Sequence, residues 1–172
     1  QLRVEDAILP RQWGAEANGT TNDTLALQAC LAHSKANGVR MESDSSDIYF
    51  LGTFADDAAE TKFLIDFDNF TWNTNNCEFT ANASIAAFHD GQSSQDIFRF
   101  EDASEIVIGD FRVTASQIAR TGDDRQGIQA ITMLSTAANA RNVKLGKVSC
   151  SKCTSVITAF SGNPSSFRYR GL

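Results

Sequence analysis

The apolar positions of this chain follow two rhythms. Leu27, Cys30, Leu31 and Ser34 recur at helical spacing and predict the buried stripe of a helix over about residues 23 to 36. Asn22-Asp23-Thr24 supplies N-caps and early negative charge, Lys35 sits in the last turn, and Asn37-Gly38 provides a left-handed stop. After Gly38 the rhythm shortens. Val39 and Met41 alternate with polar residues, a Ser/Asp cluster intervenes, and Ile48-Tyr49-Phe50-Leu51 begins a series of short β-like pieces separated by Asn, Ser, Asp and Gly. Pro10 and Pro164 are the only prolines, so the centre lacks the residue that most often blocks strand pairing.

These pieces repeat. Ile65-Asp66-Phe67 matches Phe98-Arg99-Phe100 and Ile131-Thr132-Met133, and Phe167-Arg168-Tyr169 begins a fourth copy, a period of about 33 residues. Each copy carries a second apolar pair (Phe70 and Trp72, Ile106 and Ile108, Val143 and Leu145) and a third (Cys77 and Phe79, Phe111 and Val113, Val148 and Cys150). Members of a pair stand two apart and so point to one face of a strand. Three one-sided strands per repeat predict an all-β parallel solenoid of three to four coils, because no single coil can bury its apolar face alone. A β-sandwich is the alternative, but it prefers hairpin signals such as Asn-Gly between strands. Here Asn18-Gly19 and Asn37-Gly38 flank the helix instead. The expected domain is single: residues 1–22 an opening strand and turn, 23–36 a helix lying as a lid over the open end, and 39–172 the coils.

Composition narrows the function classes. The 172 residues carry a formal net charge of -6 and a pI near 4.8, which disfavours nucleic-acid and anionic-membrane partners. No apolar run is long enough for membrane insertion. Zinc ribbons need two close cysteine pairs, and only Cys150 and Cys153 are close, so Cys150 reads as a small core residue at a strand end. No cofactor is expected.

Trp13-Gly14-Ala15, then Asn18-Gly19-Thr20-Thr21-Asn22-Asp23-Thr24, then Ala26-Leu27-Gln28-Ala29, resembles the N-terminal signature of pectate-lyase-like right-handed β-helix proteins, most of all the N-terminal part of bacteriophage tailspikes. The Pro-x-Gly that often follows the helix in that family is missing here. The resemblance implies a right-handed parallel β-helix with an N-terminal capping helix. It also implies a homotrimer on a virion tail, joined to an upstream attachment region, whose parent chain binds and depolymerises host surface polysaccharide. This segment would then be mainly structural and part of a longer chain, and Leu134, expected outward, would suit a trimer contact. Free thiols would fit such a virion protein. A secreted polysaccharide lyase or glycoside hydrolase is the alternative, favoured by four Asn-x-Ser/Thr sites at Asn18, Asn22, Asn69 and Asn82. A non-catalytic adhesive solenoid is the third.

Sugar cleavage by hydrolysis uses two carboxylates, about 5 Å apart in retaining enzymes and about 6.5–9.5 Å apart in inverting ones. With a period near 33, Asp66 stacks under Arg99 as an ion pair, and Asp68 under Glu101 as the candidate catalytic carboxylate pair; the bland alternative is an outward, solvated acidic face. Asp123-Asp124 reads as a turn with too few oxygens for calcium, and neither His33 nor His89 has a visible partner.

Overall fold

A computed structural model describes residues 7–54, 60–82, 95–116, 128–134, 142–153, 155–160 and 167–169. They form three parallel sheets and one helix. Strands are numbered in chain order. The first sheet runs β1 (Ala7–Ile8), β3 (Arg40–Glu42), β6 (Thr71–Asn73), β9 (Ile106–Ile108), β12 (Val143–Leu145), β15 (Phe167–Tyr169). The second runs β2 (Asn18–Asn22), β4 (Ile48–Thr53), β7 (Cys77–Asn82), β10 (Phe111–Ser116), β13 (Val148–Ser151). The third runs β5 (Glu60–Ile65), β8 (Gln95–Glu101), β11 (Ile128–Leu134), β14 (Ser155–Phe160). From β3 onward the chain visits first, second and third sheet in rotation. In the round before that, helix α1 (Thr24–Asn37) stands between β2 and β3, in the place that later rounds give to a third-sheet strand.

One apolar core joins the sheets. Trp72 from the first, Phe79 and Phe111 from the second, and Phe63 and Phe98 from the third meet with ring centroids 5.3–6.2 Å apart, mostly tilted or edge-on. That geometry suits the ring quadrupoles. The second and third apolar pairs of each repeat fall into register: Trp72 with Ile108 and Leu145, and Phe79 with Val113 and Cys150.

Spacing is not constant, and this corrects the repeat alignment. In the third sheet Phe63, Phe98, Ile131 and Ile157 are partners, at separations of 35, 33 and 26 residues. The first copy is therefore Phe63-Leu64-Ile65, two residues earlier than the sequence suggests. Phe167-Arg168-Tyr169 pairs instead with Val143-Lys144-Leu145 of the first sheet. Alternation with period two is blind to a shift of two, and Phe67, itself apolar, invites the wrong choice.

The helix buries the four residues its spacing predicts, Leu27, Cys30, Leu31 and Ser34, and ends at Gly38, whose φ of 65° lets its amide reach the Ser34 carbonyl at 2.8 Å. The N-cap differs. The buried Asp23 carboxylate does not cap the helix; it accepts the Glu16 and Ala17 amides at 2.8 and 3.1 Å, and Asn22 Oδ1 takes the Thr24 amide. Among the described residues the opening strand is Ala7–Ile8, followed by a 3-10 turn over Pro10–Trp13. Asn18-Gly19 belongs to β2 rather than to a turn. Its Asn18 Oδ1 accepts the Thr20 and Thr21 amides, and the pairing with β4 is correspondingly irregular.

Candidate functional site

Where α1 replaces a strand, the end strand β5 is left partly open. Gln28 Nε2 donates to the Lys62 carbonyl at 2.9 Å, so a helix side chain satisfies an edge group that a strand would otherwise pair. Between helix and strand lies a groove of about 280 Å³. Leu31 and Ala32 line its helix side, Leu64 and Phe67 its strand side. Lys35 Nζ and Asp66 Oδ1, both about half exposed, pair at 2.7 Å along it, and the same ammonium lies 5.4 Å from the Phe67 ring centroid. The buried Lys62 also lines the groove, and its ammonium lies 4.5 Å from the Phe54 ring.

Beside the groove, the third sheet holds a polar cluster across three strands. The Asp96 side chain is 0% exposed. Its Oδ2 accepts Arg99 Nε and Nη2 at 2.9 and 2.6 Å, and its Oδ1 accepts the Thr132 hydroxyl at 2.6 Å. Thr61 Oγ1 stands 3.4 Å from Oδ2. Around this buried carboxylate a guanidinium and hydroxyls take the place of water as hydrogen-bond donors. Both oxygens are engaged, so Asp96 positions Arg99. Glu101 Oε1 lies 3.8 Å from Arg99 Nη1 on the other side and remains partly exposed.

The two carboxylates singled out by the sequence occupy different settings. Asp68 is exposed, and its Oδ1 accepts the Ser104 amide at 2.7 Å, fastening a turn to the turn above. Glu101 ends β8 next to Arg99. Because Leu64, not Asp66, is the partner of Arg99, the expected Asp66–Arg99 pair is replaced by Asp66–Lys35 and Arg99–Asp96. The same register does not stack Asp68 under Glu101. His33 does have a partner: its ring lies 4.9 Å from that of Trp13. His89, the Asp123-Asp124 turn and the Leu134 side chain lie outside the described residues.

A second cluster, in the turn between β3 and β4, leaves no local pattern in the sequence. Trp72 Nε1 donates to Ser43 Oγ at 3.0 Å, Tyr49 Oη stands 3.0 Å from Ser43 Oγ and donates to Asp47 Oδ2 at 2.7 Å, and Arg11 Nη2 reaches Asp47 Oδ1 at 2.6 Å. Burial pushes the Tyr49 phenol well above its ordinary value. Two of the four cysteines depart from expectation. Cys150 and Cys153 form a disulfide with Cα atoms 5.9 Å apart, whereas Cys30 and Cys77 are free, buried thiols pushed by desolvation to about 12.

Among the described residues, no group of three or more His, Cys, Asp or Glu is placed to hold a metal, and no helix is long and apolar enough to cross a membrane. No protein-family model, curated protein or solved structure matches the chain.

Proposed function

We propose that this chain is the starting segment of a right-handed parallel β-helix, most like the N-terminal part of a phage tailspike, with a mainly structural role. The observation that carries it is the rotation through three parallel sheets, begun by a helix in the place of the first third-sheet strand. A helix has no edge to offer a neighbouring strand, and α1 covers the core with one stripe while Gln28 closes part of β5. The hydrogen bonds of Asp96 and Asp68 support the structural role, since each carboxylate holds one part of the scaffold to another. The parent assembly, a homotrimer on a virion tail, would bind host surface polysaccharide and cleave it with residues on other coils. The test incubates the protein with a panel of purified bacterial surface polysaccharides and measures both retention and new reducing ends. Retention without cleavage fits this segment; cleavage at a rate that falls with Glu101→Gln contradicts the structural role.

The Cys150–Cys153 disulfide favours a second reading, a secreted pectate-lyase-like lyase or hydrolase, because such bonds persist in oxidising compartments. Its mark would be unsaturated or reducing products from plant or microbial polysaccharide.

A further inference from the structure

The connections from second to third sheet span residues 54–59, 83–94 and 117–127 in the first three rounds, but only 152–154 in the fourth. That shortest corner is also the one with the disulfide. Strand β13 stops after four residues, while its neighbour β10 runs for six, and their pairing ends at Thr114 with Ser151. Lys152 then leaves the strand with φ of 61°, a conformation a lysine rarely adopts, and Cys153 returns to meet Cys150. Cys150 and Cys153 are partly buried against the rim of the core, and Ser151 and Lys152 between them are exposed. A bridge across so few residues restrains the unfolded chain little, so its effect is local.

We propose that Cys150–Cys153 is a thiol-exchange site, a clasp that holds this corner closed when oxidised and that a dithiol reductant opens. The chemistry is ordinary exchange. A thiolate of the reductant attacks one sulfur of the pair, the S–S bond breaks, a mixed disulfide forms, and the other cysteine leaves as thiolate. The second thiol of the reductant then displaces the first cysteine. The reductant ends as a cyclic disulfide, having supplied two electrons, and both cysteines are reduced. The exposed Ser151 and Lys152 between the two cysteines leave a reductant a way in to this partly buried bond. Cys30 and Cys77, both fully buried, stay out of it. Once opened, the corner no longer fixes Lys152, and the end of β13 frays.

Native protein is treated with dithiothreitol, alkylated with iodoacetamide and mapped by mass spectrometry, in parallel with backbone hydrogen exchange. The expected result is labelling of Cys150 and Cys153 alone, with exchange across residues 148–153 faster by about tenfold or more while residues 77–82 are unchanged. A C150S/C153S variant should exchange as fast without reductant; if it does not fold, the reduced native protein decides alone. Labelling of all four cysteines together, no labelling before global unfolding, or labelling with unchanged exchange would each overturn the proposal.

Discussion

After β3, the chain turns from first to second sheet through residues 43–47, 74–76, 109–110 and 146–147, whereas its first three turns from second to third sheet take six, twelve and eleven residues. The short corners are bonded to one another in a column. Asn75 Nδ2 donates to the Ser43 carbonyl at 2.8 Å, Thr74 Oγ1 to the Asp110 carbonyl at 2.7 Å, and the Lys147 amide to Asp110 Oδ1 at 2.7 Å. Positive φ at Asn75 and Asn76 falls on the residue type that bears it best after glycine. The first kind of corner sets the geometry of the stack, and the second absorbs variation in length. A corner of two residues whose polar groups are claimed from the turns above and below fixes the register of both strands it joins. A corner of a dozen residues leaves register to the strands themselves.

Breaking the most buried short corner should have the largest effect. Asp47→Ala removes the carboxylate that Arg11, Tyr49 and the Asp44 amide share, and should lower stability by about 2–3 kcal/mol in urea unfolding. Next comes a paired insertion. Two glycines between Gly109 and Asp110 would disrupt the column and should lower the melting temperature sharply, while the same two glycines placed in 117–127 should cost under about 1 kcal/mol. Asn75→Ala removes one bond of the column and puts alanine at positive φ, and should cost about 1–2 kcal/mol.

The smallest expected effect concerns pH at the junction before α1. Burial, which outweighs the Glu16 and Ala17 amide donors, raises the Asp23 carboxyl above its ordinary 3.8. The folded state then holds the proton more tightly than the unfolded one. The contribution of this group is fully present below that ordinary value and is lost as pH rises through the folded value. Stability measured against pH above 3.8 should show that component in the native protein and lack it in Asp23→Asn.

The same contrast explains what could be read from the residues. The helix stripe was legible because four side chains repeat at one period within one element. The first- and second-sheet pairs are legible because the corner between them is short, which keeps Trp72 and Phe79, or their register partners Ile108 and Val113, only seven and five residues apart. The first third-sheet strand lies two residues earlier than the repeat suggests because twelve residues separate β7 from β8, more than in any other round. That shift carried Asp66 to Arg99, when the ion pairs are Asp66–Lys35 and Arg99–Asp96. The Asp96–Thr132 bond joins strands 36 residues apart and leaves no local pattern. The Cys150–Cys153 bond depends on a corner that is short only in the fourth round.

The most direct test of this architecture is a set of long-range nuclear Overhauser contacts in the native chain. Phe98 should show parallel-strand contacts to both Phe63 and Ile131, Arg99 to Leu64 and Thr132, and the Gln28 amide group to Lys62 beneath α1. Contacts from Arg99 to Asp66, or an antiparallel pattern between any neighbouring strands of the third sheet, would contradict it.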